Sequence, residues 1–225
     1  MTTPDFNTLL IERSLLEALS RMLSHDINGK VMGVEGILSC WESLGIEAEN
    51  LKEDISIVRD SFSSLKTEFL MLGWFFQADP KHTQAISFAY FNDVAGRFLS
   101  RFFQPPSSFQ LQSVAEGRSI YCTPYQLIFW TSSFCQVIGR YRPPGELVEL
   151  QIDTRSEGTD LELRCRSEFL SQLLDDAIPH PLGHLPPWEN WLALFHAAGG
   201  TYRVDPGILL PITFTLPLHN PAPAS

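Results

Sequence analysis

Positive charge is scarce in this chain: 16 Lys and Arg face 26 Asp and Glu, a formal net charge of −10, and no basic cluster occurs. Binding to a phosphate backbone draws on clustered Lys and Arg that release counterions, so nucleic acid is excluded as the main partner. Long apolar runs are missing as well. There is no stretch of about 18 apolar residues, and the first residues lack a basic start followed by an apolar segment, so neither a membrane span nor a leader is expected. Cysteine is sparse too. Cys40, Cys122, Cys135 and Cys165 lie far apart within apolar or periodic stretches, which reads as reduced packing residues in a cytoplasmic protein rather than as disulfides or a metal site.

What the chain does have is hydrophobic content, 44% of 225 residues, enough for one medium core or two small ones. From about Phe6 to Leu44 the apolar residues recur at helical spacing (Leu9, Leu16, Leu19, Met22, Leu23, Ile27, Val34, Ile37, Trp41), and Gly45 supplies a stop. Asn50 with Glu53 forms a capping-box signature. Beyond it Leu51, Ile55, Val58, Phe62, Leu65, Phe69, Leu72 and Phe76 step by alternate fours and threes, a heptad seam. Two long helices joined by a short loop make a hairpin. One hairpin covers only part of its two apolar faces, so pairing into a dimeric four-helix bundle is expected.

A polar break at Asp79–Gln84, with Pro80, separates this region (1–79) from a second domain (84–219) and a loose tail (220–225). In the second domain Ile86–Phe103 reads as a helix. Thr123 and Pro124 form a helix entry for a segment running to about Arg140. The alternating stretches Val148, Leu150, Ile152 and Leu161, Leu163, Cys165 read as a hairpin around Ser156–Gly158. A short helix from about Ser167, a helix over Trp188–Ala198 ended by Gly199 and Gly200, and strands over Thr201–Val204 and Ile212–Leu216 complete it. The expected class is α+β, one sheet backed by helices on one face.

Few residues here carry chemistry. His25 lies mid-helix beside Asp26, and at 100° per residue it falls outside the apolar stripe, next to Arg13, Glu17, Arg21, Ser24 and Asn28. It is expected to be solvent-facing. Asp26 and Lys30 fall within the stripe, four apart with the acid first, the favourable order for an ion pair. Gly29, Gly33 and Gly36 share the flank beside His25, each costing roughly 1 kcal/mol against alanine in a helix interior. A bare flank admits close approach of another backbone or a partner's loop. The plainer readings are a surface histidine, a structural ion pair and a kink. His180 and His184 are four apart, but the prolines around them forbid the helix that would aim both at one metal. His196 and the aromatics Phe98–Phe103 and Phe129–Trp130 read as packed residues.

Leu23-Ser24-His25-Asp26 followed by Lys30 resembles the phosphoacceptor box of sensor histidine kinases, and is similar still to the histidine phosphotransferases. Arg140-Tyr141-Arg142-Pro143-Pro144-Gly145 and the end from Ala198 to Leu218 resemble parts of the kinase ATP-binding domain. In that register Ser133 and Val137 stand where the family carries two asparagines for magnesium, and Cys165 stands near the place of the acid that reads adenine. The glycine-rich lid is replaced by Pro181–Trp188, with Gly183 and three prolines. Backbone NH groups that cradle a triphosphate need glycines, and magnesium needs oxygen ligands. The second domain is therefore expected to be a degenerate ATP-binding sandwich that binds neither nucleotide nor metal. The family's phosphatase amide or hydroxyl, four places after the histidine, is replaced by Gly29, with Asn28 one position early.

The resemblance implies a cytoplasmic, homodimeric histidine phosphotransferase that exchanges phosphoryl groups with receiver-domain aspartates, with a sensor kinase as a further partner and magnesium on the receiver. In it His25 is the nucleophile, Asp26 its orienter and Lys30 a neutraliser of phosphate charge, with partner docking around Asn28, Gly29 and Gly33. The alternative is a non-catalytic dimeric adaptor or inhibitor derived from a histidine kinase.

Overall fold

A computed structural model describes residues 6–44, 51–76, 83–112, 117–155, 159–174, 186–205 and 207–218. Asn50, residues 79–82 of the polar break, the Ser156–Gly158 turn, His180, His184 and the tail from Asn220 lie outside the described residues. Contacts divide the chain into two units, Leu16–Gly73 and a larger one of Met1–Leu15 with Trp74–Ser225. The divisions fall after Leu15 and after Gly73.

The first helices have the expected spans, α1 over Phe6–Leu44 and α2 over Leu51–Phe76. On α1, Leu19 and Leu23 are buried and Val34, Ile37 and Trp41 half-buried. The heptad seam expected on α2 divides in two. Leu51, Val58, Leu65 and Leu72 are half-buried as expected, but Ile55, Phe62, Phe69 and Phe76 are 42%, 58%, 56% and 67% exposed. Asp54, Ser61 and Glu68 complete the buried strip instead, Glu68 being 3% exposed. Both acids meet polar partners on α1: Trp41 Nε1 donates to Asp54 Oδ2 at 2.7 Å, and the Lys30 ammonium donates to Glu68 Oε1. Lys30 also donates to Ser64 Oγ at 2.7 Å.

The larger unit is α+β. A five-stranded mixed sheet has the order β2-β4-β5-β7-β6, from Phe109–Gln112 (β2), Val148–Arg155 (β4), Asp160–Arg166 (β5), Ile212–Pro217 (β7) and Thr201–Val204 (β6). Only the β2–β4 pairing is parallel. A separate pair, β1 (Gln84–Ser87) and β3 (Ser119–Cys122), corrects the expectation of a single sheet. It also shortens the helix expected over Ile86–Phe103. Ile86 and Ser87 pair with Ile120 and Ser119, so α3 runs over Phe88–Leu99 and a 3₁₀ turn takes Ser100–Phe102. The remaining helices are α4 (Pro124–Tyr141), α5 (Glu168–Leu174) and α6 (Pro186–Ala197).

Period-two alternation sets the two faces of the sheet. Leu150, Ile152, Leu163, Cys165, Ile212 and Phe214 are fully or nearly fully buried, and Phe134 of α4 and Trp191 of α6 lie 5.2 and 5.7 Å from the Phe214 ring. The opposite face is a lattice of charge. Arg118 pairs with Asp153 at 2.8 Å, Arg164 pairs with Glu162, and Arg166 lies 3.4 Å from Glu149.

Helix α4 is buried almost all round, as expected of a helix with apolar residues on every side. Its entry is a full capping box: Thr123 Oγ1 accepts from the Gln126 backbone NH, the Gln126 side chain accepts from the Thr123 NH, and Pro124 follows. At its far end Arg142 is buried with carbonyl partners on Gln104, Pro143 and Glu146 and stacks 5.5 Å from the Phe103 ring centroid. Between them α4 passes so near Phe102 that a Cβ at Gly139 would lie 2.1 Å from its carbonyl oxygen. Backbone cannot yield as a side chain can, so Gly139→Ala is expected to lower stability by about 1–3 kcal/mol, read from the guanidinium unfolding midpoint.

Candidate functional site

His25 stands on α1 with 90% of its side chain exposed, the Nδ1 atom 3.3 Å from Asp26 Oδ1. The Asp26 side chain is only 26% exposed, because its position turns toward the buried strip while that of His25 turns away. With Nδ1 directed at the carboxylate, Nε2 is the nitrogen left to solvent. The flank below is bare. Gly29, Gly33 and Gly36 are exposed, and a Cβ built on any of them meets nothing within 4 Å. Asn28 is exposed beside them, and Met32, one heptad beyond His25, is 69% exposed. The arrangement offers a nucleophilic nitrogen, a fixed carboxylate and unobstructed space.

Lys30 does not join this group. Its ammonium pairs with Glu68 across the hairpin, the two side chains being 20% and 3% exposed. It lies on the seam side of α1, where Glu68 and Ser64 take the ammonium, so the charge expected for an incoming phosphate is already neutralised by a carboxylate. Ser64 and Glu68 were not legible as site residues when only apolar positions were counted. The available signal was that Asp54, Ser61 and Glu68 share with Leu51, Val58 and Leu65 the alternation of three and four that a buried seam requires.

The positions where the resemblance puts kinase nucleotide ligands hold packed side chains. Ser133 is fully buried and its Oγ accepts from Trp191 Nε1 at 2.9 Å; Val137 is 6% exposed and Cys165 fully buried. Around them Trp188 and Trp191 stack at 5.6 Å and Trp191 and Phe195 at 5.1 Å, with Phe134 and Phe214 edge-on or tilted. Burial pushes the Cys165 and Cys135 thiols well above their ordinary value and that of Cys122 up to about 12, while Cys40 is exposed. His196, expected to be packed, is exposed on α6, its Nδ1 3.0 Å from the Gly200 carbonyl. Among the described residues no group of three or more His, Cys, Asp or Glu is placed to hold a metal ion, and no helix is long and apolar enough to cross a membrane.

No protein-family model matches the chain, and no curated protein matches it. Among solved structures, a bacterial phosphotransferase aligns at 14% identity over 90% of this chain and 95% of that one, with a TM-score of 0.46. A histidine kinase from Burkholderia phymatum aligns at 12% over 88% and 99%, TM-score 0.41, and the histidine kinase domain of a blue-light activated kinase from Erythrobacter litoralis at 15% over 96% and 95%, TM-score 0.40. With TM-scores below 0.5, these likenesses leave the functional reading to the residues themselves.

The Lys30–Glu68 pair makes a direct test of the seam. Lys30→Met removes the cation from a buried carboxylate and is expected to cost about 3–5 kcal/mol, whereas the double variant Lys30→Met/Glu68→Leu recovers most of that loss. Urea unfolding of the two single variants and the double variant measures the cycle.

Proposed function

We propose that this chain is a histidine phosphotransferase that exchanges phosphoryl groups between His25 and the aspartate of a receiver domain, without binding ATP. One observation carries the reading: a 90% exposed imidazole on a rigid helix, its Nδ1 beside a carboxylate. A lone surface histidine has no need of that neighbour or of three glycines on the same flank. With the Nδ1 proton held toward Asp26, Nε2 attacks the phosphorus of an aspartyl phosphate. The N–P bond forms as the acyl P–O bond breaks, and the receiver's carboxylate leaves. Asp26 stabilises the imidazolium that results. In the proposed complex Gly29, Gly33 and Asn28 border the space a receiver occupies, magnesium belongs to the receiver's acidic pocket, and Lys30 holds the hairpin rather than the phosphate.

The absence of ATP binding is supported by what fills the nucleotide positions, a tryptophan-bonded Ser133 and an apolar Val137 where magnesium needs oxygen ligands. A homodimer is supported by the exposed row Ile55, Phe62 and Phe69, with Val31, Met32 and Leu38 exposed on α1. An exposed apolar row along a helix marks an interaction face, and in the proposed dimer a second hairpin supplies the same surface in return.

Two experiments test this. Incubation with a phosphorylated receiver domain and no nucleotide is expected to place acid-labile, base-stable label on the chain, and His25→Gln is expected to lose the label while keeping receiver binding. A wild-type chain that binds the receiver and stays unlabelled is an adaptor instead. Micromolar heat of ATP binding in a titration would overturn the nucleotide-free reading. For the assembly, Phe62→Glu/Phe69→Glu changes only exposed residues, so a folded monomer by sedimentation is expected where the wild type is a dimer; a monomeric wild type sinks the dimer.

A further inference from the structure

A second site lies in the larger unit and is independent of the chemistry of His25. A cavity of about 210 Å³ opens between the start of α1 and helices α4 and α6. Its walls are apolar at Ile11, Val137 and the Tyr141 ring, and its polar groups include Arg140 and Asn190. Two hydrogen-bonded ties fix the α1 wall. Gln136 Nε2 donates to the Ser14 carbonyl at 2.9 Å and to its Oγ at 3.2 Å, and Tyr125 donates to Glu12. Burial, and then Glu12, push the Tyr125 hydroxyl well above its ordinary value. The opening is therefore framed by fixed backbone.

Arg140 is the unusual group. In a chain of 26 acids and 16 Lys and Arg, its guanidinium has no carboxylate partner among the described residues and lies 5.6 Å from the Tyr141 ring centroid. The Asn190 side-chain amide likewise has no partner among them. An arginine fork and an amide at the edge of an apolar cavity match a carboxylate carried on an apolar body. At Val137 the wall has no oxygen to hold the magnesium of a nucleotide, and the volume lies below the roughly 300–1,000 Å³ of sites for drug-sized ligands. We propose that this cavity binds a small organic carboxylate, its apolar body against Ile11, Val137 and Tyr141 and its anion on Arg140 and Asn190.

Benzoate, benzamide and benzamidine share one shape and differ in charge, so they serve as probes on the full chain. Benzoate is expected to bind saturably in the millimolar range or tighter, shifting the methyl resonances of Ile11 and Val137 and leaving that of Ile120, in β3, in place. Arg140 is exposed, so Arg140→Gln leaves the fold intact by circular dichroism and is expected to weaken benzoate about tenfold, as loss of a charge-assisted bond requires. Equal binding of benzamide, preference for benzamidine, an unchanged affinity in Arg140→Gln, or no saturable shift at Ile11 and Val137 each overturns the assignment.

Discussion

The contact on which the small unit depends is the ion pair of Lys30 with Glu68, with Ser64 sharing the ammonium. A carboxylate that is 3% exposed is costly unless a cation meets it, so the two helices have one rotation that satisfies Glu68 and many that strand it. Trp41 with Asp54 repeats the constraint nearer the loop. Both pairs have one antiparallel register, the α1 number rising as the α2 number falls. Fixing that rotation fixes everything else on the two helices, including which residues are left outside.

Two consequences follow from geometry alone. Turning Asp26 and Lys30 toward the seam turns His25 out, because neighbouring residues on a helix stand about 100° apart. Filling the seam of α2 with Asp54, Ser61 and Glu68 turns Ile55, Phe62 and Phe69 out at seven-residue intervals. The polar residues inside and the aromatic residues outside are thus one choice rather than two. With polar residues taking part of the seam, that apolar row is left exposed on the hairpin.

The long elements were legible in the sequence because their signals are strong. Helical periodicity located α1 and α2 to their ends, Thr123 and Pro124 located the entry of α4, and alternation located β4, β5 and β7. The strands β1, β2 and β3 were missed, their identity coming from partners distant in the chain, whereas β6, equally short, was marked by the Gly199 and Gly200 stop before it. Phe62 and Phe69 were misplaced for a different reason. Their spacing is that of a seam, and spacing alone does not say which of two adjacent strips faces the neighbouring helix. His25 was legible as exposed, Asp26 as adjacent to it. The partner of Lys30 was not, because Glu68 lies 38 positions away and the local Asp26 offered a competing pair.

The bare flank beside His25 bears on how any partner engages it. Three glycines forgo roughly 1 kcal/mol each against alanine, and with open space above them that loss is not recovered within the chain. It is offset only when something else comes to van der Waals distance of the helix backbone. A chain with a net charge of −10 gains little steering toward an acidic partner, since like charges slow encounter and raise the cost of contact. Close packing over glycine, with Met32 at the edge, needs no attraction of charge. In the proposed transfer the flank therefore supplies the affinity that electrostatics withholds, along the roughly three helical turns that follow the imidazole, beside which the phosphorus must be brought into line with Nε2.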